Sequence, residues 1–140
     1  MKKITGTLLL ALFISLQVFS QADADKIIGD WVTGDKSGYV RIYKQGGKYF
    51  GKIIGGNTPE LKDVKNDDPK LRNRDLLNVV ILTNLEFIDG KWENGKIYDP
   101  QSGNTYKCIM WMKDNDTLEV KGYVGISLFG RTETWVRIKK

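Results

Sequence analysis

The 140-residue chain contains no histidine, a single cysteine, Cys108, and 17 acidic residues. The commonest general base and the commonest metal ligand are therefore both missing, and Ser-His or Cys-His nucleophile pairs are excluded. Acid–base chemistry would have to rest on carboxylates, with Glu93 and Asp99 flanking one hairpin and Glu133 on the same strand face as Arg131. Each has a simpler role. Asp99 suits a turn cap, Glu93 an exposed hairpin position, and Glu133 a pair with a neighbouring base. The enzyme class stays open, but catalysis ranks behind binding.

Asp63, Asn66, Asp67 and Asp68 offer hard oxygen ligands in one loop, as a calcium site requires. Their order lacks the alternating Asp-x-Asn-x-Asn-Gly pattern and the distal Glu, and Lys62 and Lys65 weaken the local negative field. A solvated turn is the better reading, and neither metal nor cofactor is expected. Cys108, between Lys107 and Ile109, reads as a small buried apolar residue with nothing nearby to stabilise a thiolate. With one cysteine no internal disulfide can form, so packing alone must hold the fold.

Aromatic residues are the more suggestive set. Trp92, Tyr98, Tyr106, Trp111 and Tyr123, together with Trp31, Trp135, Tyr39, Tyr43 and Tyr49, either line a cavity that stacks on a small ligand or fill it. A barrel of about eight strands is only just wide enough for either outcome.

The elements that would position these residues are strands. Short β-branched and aromatic runs alternate with Gly, Asn and Asp turns, and no amphipathic helix of globular length is evident. Strands are expected at Asp30 to Thr33, Tyr39 to Lys44, Tyr49 to Ile54 and Val79 to Ile88. Further strands follow at Lys91 to Glu93 and Ile97-Tyr98 around an Asn94-Gly95 turn, then at Thr105 to Met112, Thr117 to Val124 and Arg131 to Ile138. The pattern predicts an all-β, small antiparallel up-and-down barrel of about eight strands, because closure removes both exposed edges. The long polar connection Gly55 to Asn78, with one helical turn within Pro69 to Leu77, is either functional or a cap over one end.

Gly29, Trp31, Trp135 and Arg137 are expected to close the barrel, the early indole of Trp31 meeting the late guanidinium of Arg137. Strand parity conflicts with part of this picture. Plain alternation places Val136 and Ile138 inside and leaves Trp135 outside, unless a bulge or the barrel end changes the facing.

Residues 1–20 read as a secretory signal peptide, with Lys2 and Lys3 before the apolar run Ile4 to Phe19 and cleavage before Gln21 or after Ala22. The run is short for a membrane span and carries Ser15 and Gln17, so no integral span is expected after processing. The expected location is periplasmic or secreted. Residues 21–140 make one domain, and loss of Lys2 and Lys3 lowers the formal charge from +5 to +3. That mild, interleaved excess gives no reason to expect a nucleic-acid partner, and leaves a weak attraction to anionic envelope polymers as a minor alternative to a solvated surface.

Several segments in order also resemble a known family: Gly29-Asp30-Trp31, Lys65-Asn66-Asp67-Asp68-Pro69 with Leu71 and Arg72, and Trp92 through Pro100. Gly103-Asn104-Thr105-Tyr106, Leu118 through Tyr123 and Gly125 to Arg137 complete the series. Over nearly the whole length after residue 20, the chain resembles the exported bacterial proteins of domain of unknown function family 2147. The resemblance implies a lipocalin-like barrel in the cell envelope and no established activity. Many members carry cysteines near the third strand and the mid-chain loop, where this chain has Gln45 to Phe50 and Leu76-Leu77, so no disulfide is carried over.

The leading functional expectation is a non-enzymatic binder of a small, partly apolar ligand, held under the Gly55 to Asn78 loop. The alternative is a structural or protein-interaction module of the cell envelope with a filled interior. An enzyme acting on envelope glycans or lipids comes third.

Overall fold

The computed structural model describes residue 11 and residues 20–57 and 61–140. The expected signal peptide, apart from Ala11 and Ser20, lies outside the described residues. Eight antiparallel strands follow one another around a closed barrel: β1 Gly29–Val32, β2 Gly38–Gln45, β3 Lys48–Gly56, β4 Val80–Ile88, β5 Lys91–Asp99, β6 Asn104–Asp114, β7 Thr117–Tyr123 and β8 Gly130–Arg137. Each strand pairs with its sequence neighbour, and β1 meets β8 through Trp31 opposite Arg137 and Val32 opposite Val136. Among the described residues no helix is long and apolar enough to cross a membrane.

One end is plugged. The five-residue helix α1, Gln21–Asp25, is opened by a capping box in which Ser20 and Asp23 satisfy each other's backbone amides. It lies across the barrel base, where Trp92 donates its indole N–H to the Ala24 carbonyl at 3.1 Å and Tyr49 its hydroxyl to Asp25 at 2.6 Å. Trp31 donates to the Ile27 carbonyl at 3.0 Å, and Arg137 stacks its guanidinium 4.3 Å from the centre of the Trp31 ring. The same guanidinium donates to the carbonyls of Lys26, Ile28 and Asn115. Trp31, Tyr49, Leu85, Met110 and Leu118 are fully buried in the core. A planar fork is needed here, because one flat group must stack on an indole while reaching three carbonyls on two chain segments.

Two expectations about the strands change. Asn94-Gly95 is not a hairpin turn but an irregularity inside continuous strand β5, where the pairing with β6 shifts between Trp92 and Gly95. A Cβ on Gly95 would stand 2.5 Å from the Thr83 carbonyl, so the dipeptide kinks the strand against β4 instead of ending it. The reversal lies at Asp89-Gly90, both residues at positive φ. The facing of β8 also differs from plain hydrophobic alternation. Trp135 is 1% exposed and Val136 52%, so Arg131, Glu133, Trp135 and Arg137 form the inner face with no bulge needed.

The mid-chain connection runs along the other end. Its 3-10 turn, Pro69–Leu71, is capped by the Asp68 side chain, and the segment is pinned by a buried carboxylate, Asp63. Asp63 accepts from the Tyr98 hydroxyl at 2.5 Å, from Asn66 at 2.9 Å and from Arg74 at 2.9 Å. The expectation of a solvated acidic turn therefore fails at Asp63, which faces the protein because three donors meet it there.

Candidate functional site

The end opposite α1 carries the β1–β2, β3–β4, β5–β6 and β7–β8 connections, and a cavity of about 800 Å³ opens between them. Its floor and walls are apolar: Val40, Ile53, Leu76, Ile81, Ile97 and Val120, with the ring of Trp135. Alternation along β2, β3, β5, β7 and β8 turns Val40, Ile53, Ile97, Val120 and Trp135 inward, and Gly122, packed on Tyr106 and Ile97, leaves room where a larger residue would fill the opening.

The mouth is polar. Asp35 accepts from the Thr33 hydroxyl at 2.8 Å, the Ser37 amide at 3.0 Å and the Ser37 hydroxyl at 2.6 Å. Gln101, on the diametrically opposite β5–β6 turn, reaches over the mouth and donates to Asp35 at 2.8 Å. Burial works against ionisation of Asp35, but these donors outweigh it and bring its carboxyl down to about 2. Asp99 is held by its own turn, accepting from the Gln101 amide at 2.9 Å and the Ser102 hydroxyl at 2.8 Å, which is the capping role read from sequence.

Arg131 and Glu133 are different. Both project from β8 into the cavity. Glu133 is paired with no base among the described residues; it accepts from the indole N–H of Trp135 at 3.2 Å. Arg131 has no hydrogen-bond or ion-pair partner among the described residues. A free guanidinium, a carboxylate and an indole N–H thus share one wall above an apolar floor.

The aromatics divide between the two halves. Of the five residues singled out for ligand contact, Tyr106 lines the cavity, and Trp92 sits in the plugged end, edge-on to Tyr49 at 6.4 Å and against Phe87 at 4.8 Å. Tyr98 is bonded to Asp63, which raises its hydroxyl to about 12 by burial and by the adjacent carboxylate. Trp111 and Tyr123 stand on the outer face, Trp111 with the Lys91 ammonium 5.6 Å from its ring centre. Tyr39 and Trp135 join Tyr106 in the lining. Arg131 and Gln101 were not among the expected ligand contacts, because hydrophobic alternation turns the Arg131 face of β8 outward and a turn residue such as Gln101 carries no inward signal.

Cys108 is buried among inward residues, and burial pushes its thiol up to about 12, so it offers no nucleophile. Among the described residues no group of three or more Cys, Asp or Glu could hold a metal ion. The former calcium candidates act as loop fasteners, Asp63 on Tyr98 and Asp68 on the Lys70 amide.

A search of curated proteins returned no match. The family model described as an uncharacterized protein conserved in bacteria, domain of unknown function 2147, matches residues 29–137. The chain belongs to this family. Among solved structures it is similar to one described as protein HP1028 from the human pathogen Helicobacter pylori, which belongs to the lipocalin family. The two share 30% identity over 80% of this chain and 82% of that one, with a TM-score of 0.74. The closed eight-stranded barrel of this chain is thus lipocalin-like.

Proposed function

We propose that the protein is an exported, non-enzymatic binder of a small, partly apolar molecule, working in the periplasm or outside the cell. The observation that carries this reading is the cavity of about 800 Å³ with an apolar floor and a polar mouth. That size falls within the roughly 300–1,000 Å³ typical of ligand pockets. The basic start and apolar run of residues 2–19 support export. Family membership and the lipocalin neighbour agree with ligand binding in general. The open half speaks against the alternative of a filled interior.

The lining also restricts the ligand. Its body must be apolar, to sit among Ile53, Ile97, Val120 and Trp135. Its polar end meets three carboxylates, Asp35, Asp99 and Glu133, and one guanidinium, Arg131. A simple anion such as a fatty-acid carboxylate would face a net negative wall, so an end that both donates and accepts, uncharged or zwitterionic, fits better.

Titration with the neutral apolar fluorophore N-phenyl-1-naphthylamine tests the reading. Saturable binding of about one probe per chain is expected, with quenching of tryptophan emission through Trp135 and loss of binding in Ile53→Trp. No saturation at probe concentrations on the order of 100 μM, equivalent to less than about 5.5 kcal/mol of binding, would reject it.

A further inference from the structure

The loop between β7 and β8, residues 124–129, exposes four large apolar side chains within six residues: Val124 at 75%, Ile126 at 60%, Leu128 at 75% and Phe129 at 73%. Soluble surfaces scatter such residues singly, whereas a contiguous group marks a contact site. The loop is shaped. Gly125 takes φ 78°, the Phe129 amide donates to the Ile126 carbonyl at 3.3 Å, and Lys107 donates its ammonium to the Gly125 carbonyl at 3.4 Å.

Its position and its surroundings point to one kind of partner. The loop emerges at the rim of the cavity, since Gly122 before it and Arg131 after it both line the opening. Beside it on the outer face lie Lys96 and Lys107, directly opposite one another across β5 and β6, and Lys121 on β7. Like charges directly opposite repel unless an anion sits between or above them. None of these three lysines has an ion-pair partner among the described residues, whereas at the plugged end Lys26, Lys44, Lys48 and Lys139 are each paired with a carboxylate. Tyr123 stands on the outer face beside Lys107, an amphipathic ring at the boundary between apolar tip and cationic collar.

We propose that the β7–β8 loop docks the open end of the barrel onto an anionic lipid bilayer. Val124, Ile126, Leu128 and Phe129 enter the acyl boundary, and Lys96, Lys107 and Lys121 lie against the anionic headgroups. Docking sets the cavity mouth facing the bilayer, so an apolar molecule passes between lipid and barrel without crossing bulk water. That exchange rests on the ligand-binding reading; docking does not.

Co-sedimentation tests the proposal on protein purified in the form its cells produce, with vesicles of phosphatidylethanolamine and phosphatidylglycerol or of phosphatidylcholine alone. Binding to the anionic vesicles is expected, about tenfold weaker on phosphatidylcholine and falling with added salt. Leu128→Ser with Phe129→Ser should lose about tenfold, a shift of roughly 1.4 kcal/mol, with an unchanged unfolding midpoint and unchanged naphthylamine binding. Lys107→Gln with Lys121→Gln should abolish the preference for anionic vesicles. Absence of vesicle binding, or binding unaffected by the Leu128 and Phe129 changes, overturns docking. So does concentration-dependent dimerisation abolished by those same changes, which would assign the loop to a second copy of the chain. Vesicle binding without naphthylamine binding leaves docking standing and rejects the cavity reading.

Discussion

Tyr98 donates its hydroxyl to the buried carboxylate of Asp63 at 2.5 Å, fastening the mid-chain connection to the outer side of strand β5. The bond joins residues 35 positions apart, and Arg74 holds the second carboxylate oxygen. The connection that supplies Leu76 to the cavity wall is therefore positioned by a polar fastening outside the barrel.

This pair predicts stability that depends on pH at both extremes. Burial opposes ionisation of Asp63, but the donors Tyr98, Asn66 and Arg74 win and its carboxyl titrates below the usual range. Its contribution is present above the unfolded value near 3.8 and is lost as pH falls through the folded one. Tyr98 is raised from 10.0 to about 12, so its contribution is complete below pH 10 and is lost as pH rises towards 12. Tyr98→Phe should cost about 1–2 kcal/mol at neutral pH and flatten the alkaline decline in urea unfolding midpoints. Asp63→Ala should cost more, about 2–3 kcal/mol, because Arg74 is left beside an emptied site.

Arg137 is expected to be the most sensitive charged position in the molecule. Arg137→Ala strips three carbonyls of their donor and uncovers the Trp31 ring, for a loss of about 2–4 kcal/mol with altered tryptophan emission. Arg137→Lys should recover less than half, since an ammonium cannot both stack flat and reach three acceptors. Chemical denaturation followed by fluorescence measures both.

Gln101→Ala should change the rate of ligand uptake more than its affinity. The Gln101–Asp35 bond spans the cavity mouth between opposite turns, so a molecule entering from above must part it or pass beside it. Stopped-flow mixing with N-phenyl-1-naphthylamine should show faster association and faster release, with the dissociation constant shifted less than about threefold, under 1 kcal/mol.

The strand order and the single long connection were legible because they follow from turn chemistry and periodicity, and the meeting of Trp31 with Arg137 because the two stand on the first and last strands of a closed barrel, against plain alternation. The facing of β8 was not. Alternation assumes that the barrel interior is apolar throughout, whereas here its mouth holds Arg131 and Glu133 and its base holds Arg137, so the charged face turns in and Val136 turns out. Asn94-Gly95 misled for a related reason. Its turn-forming character is used to bend β5 where Gly95 must pass within contact of Thr83 and Leu85, and close approach of backbones leaves no trace in a single sequence. The role of Asp63 was hidden likewise, because its partners Tyr98 and Arg74 lie 35 and 11 positions away.

The contact between Arg137 and the carbonyls of Ile28 and Lys26 spans 109 and 111 positions of the chain. Strand β1 gains its second neighbour only when β8 arrives, so ring closure must be a late event in folding. Proteins dominated by such distant pairings fold in roughly milliseconds to seconds. During that interval β1 and β8 both present open edges able to pair with another chain. Slowing closure, as Arg137→Ala should, would therefore lower the yield of folded protein at high concentration by more than its equilibrium stability alone implies.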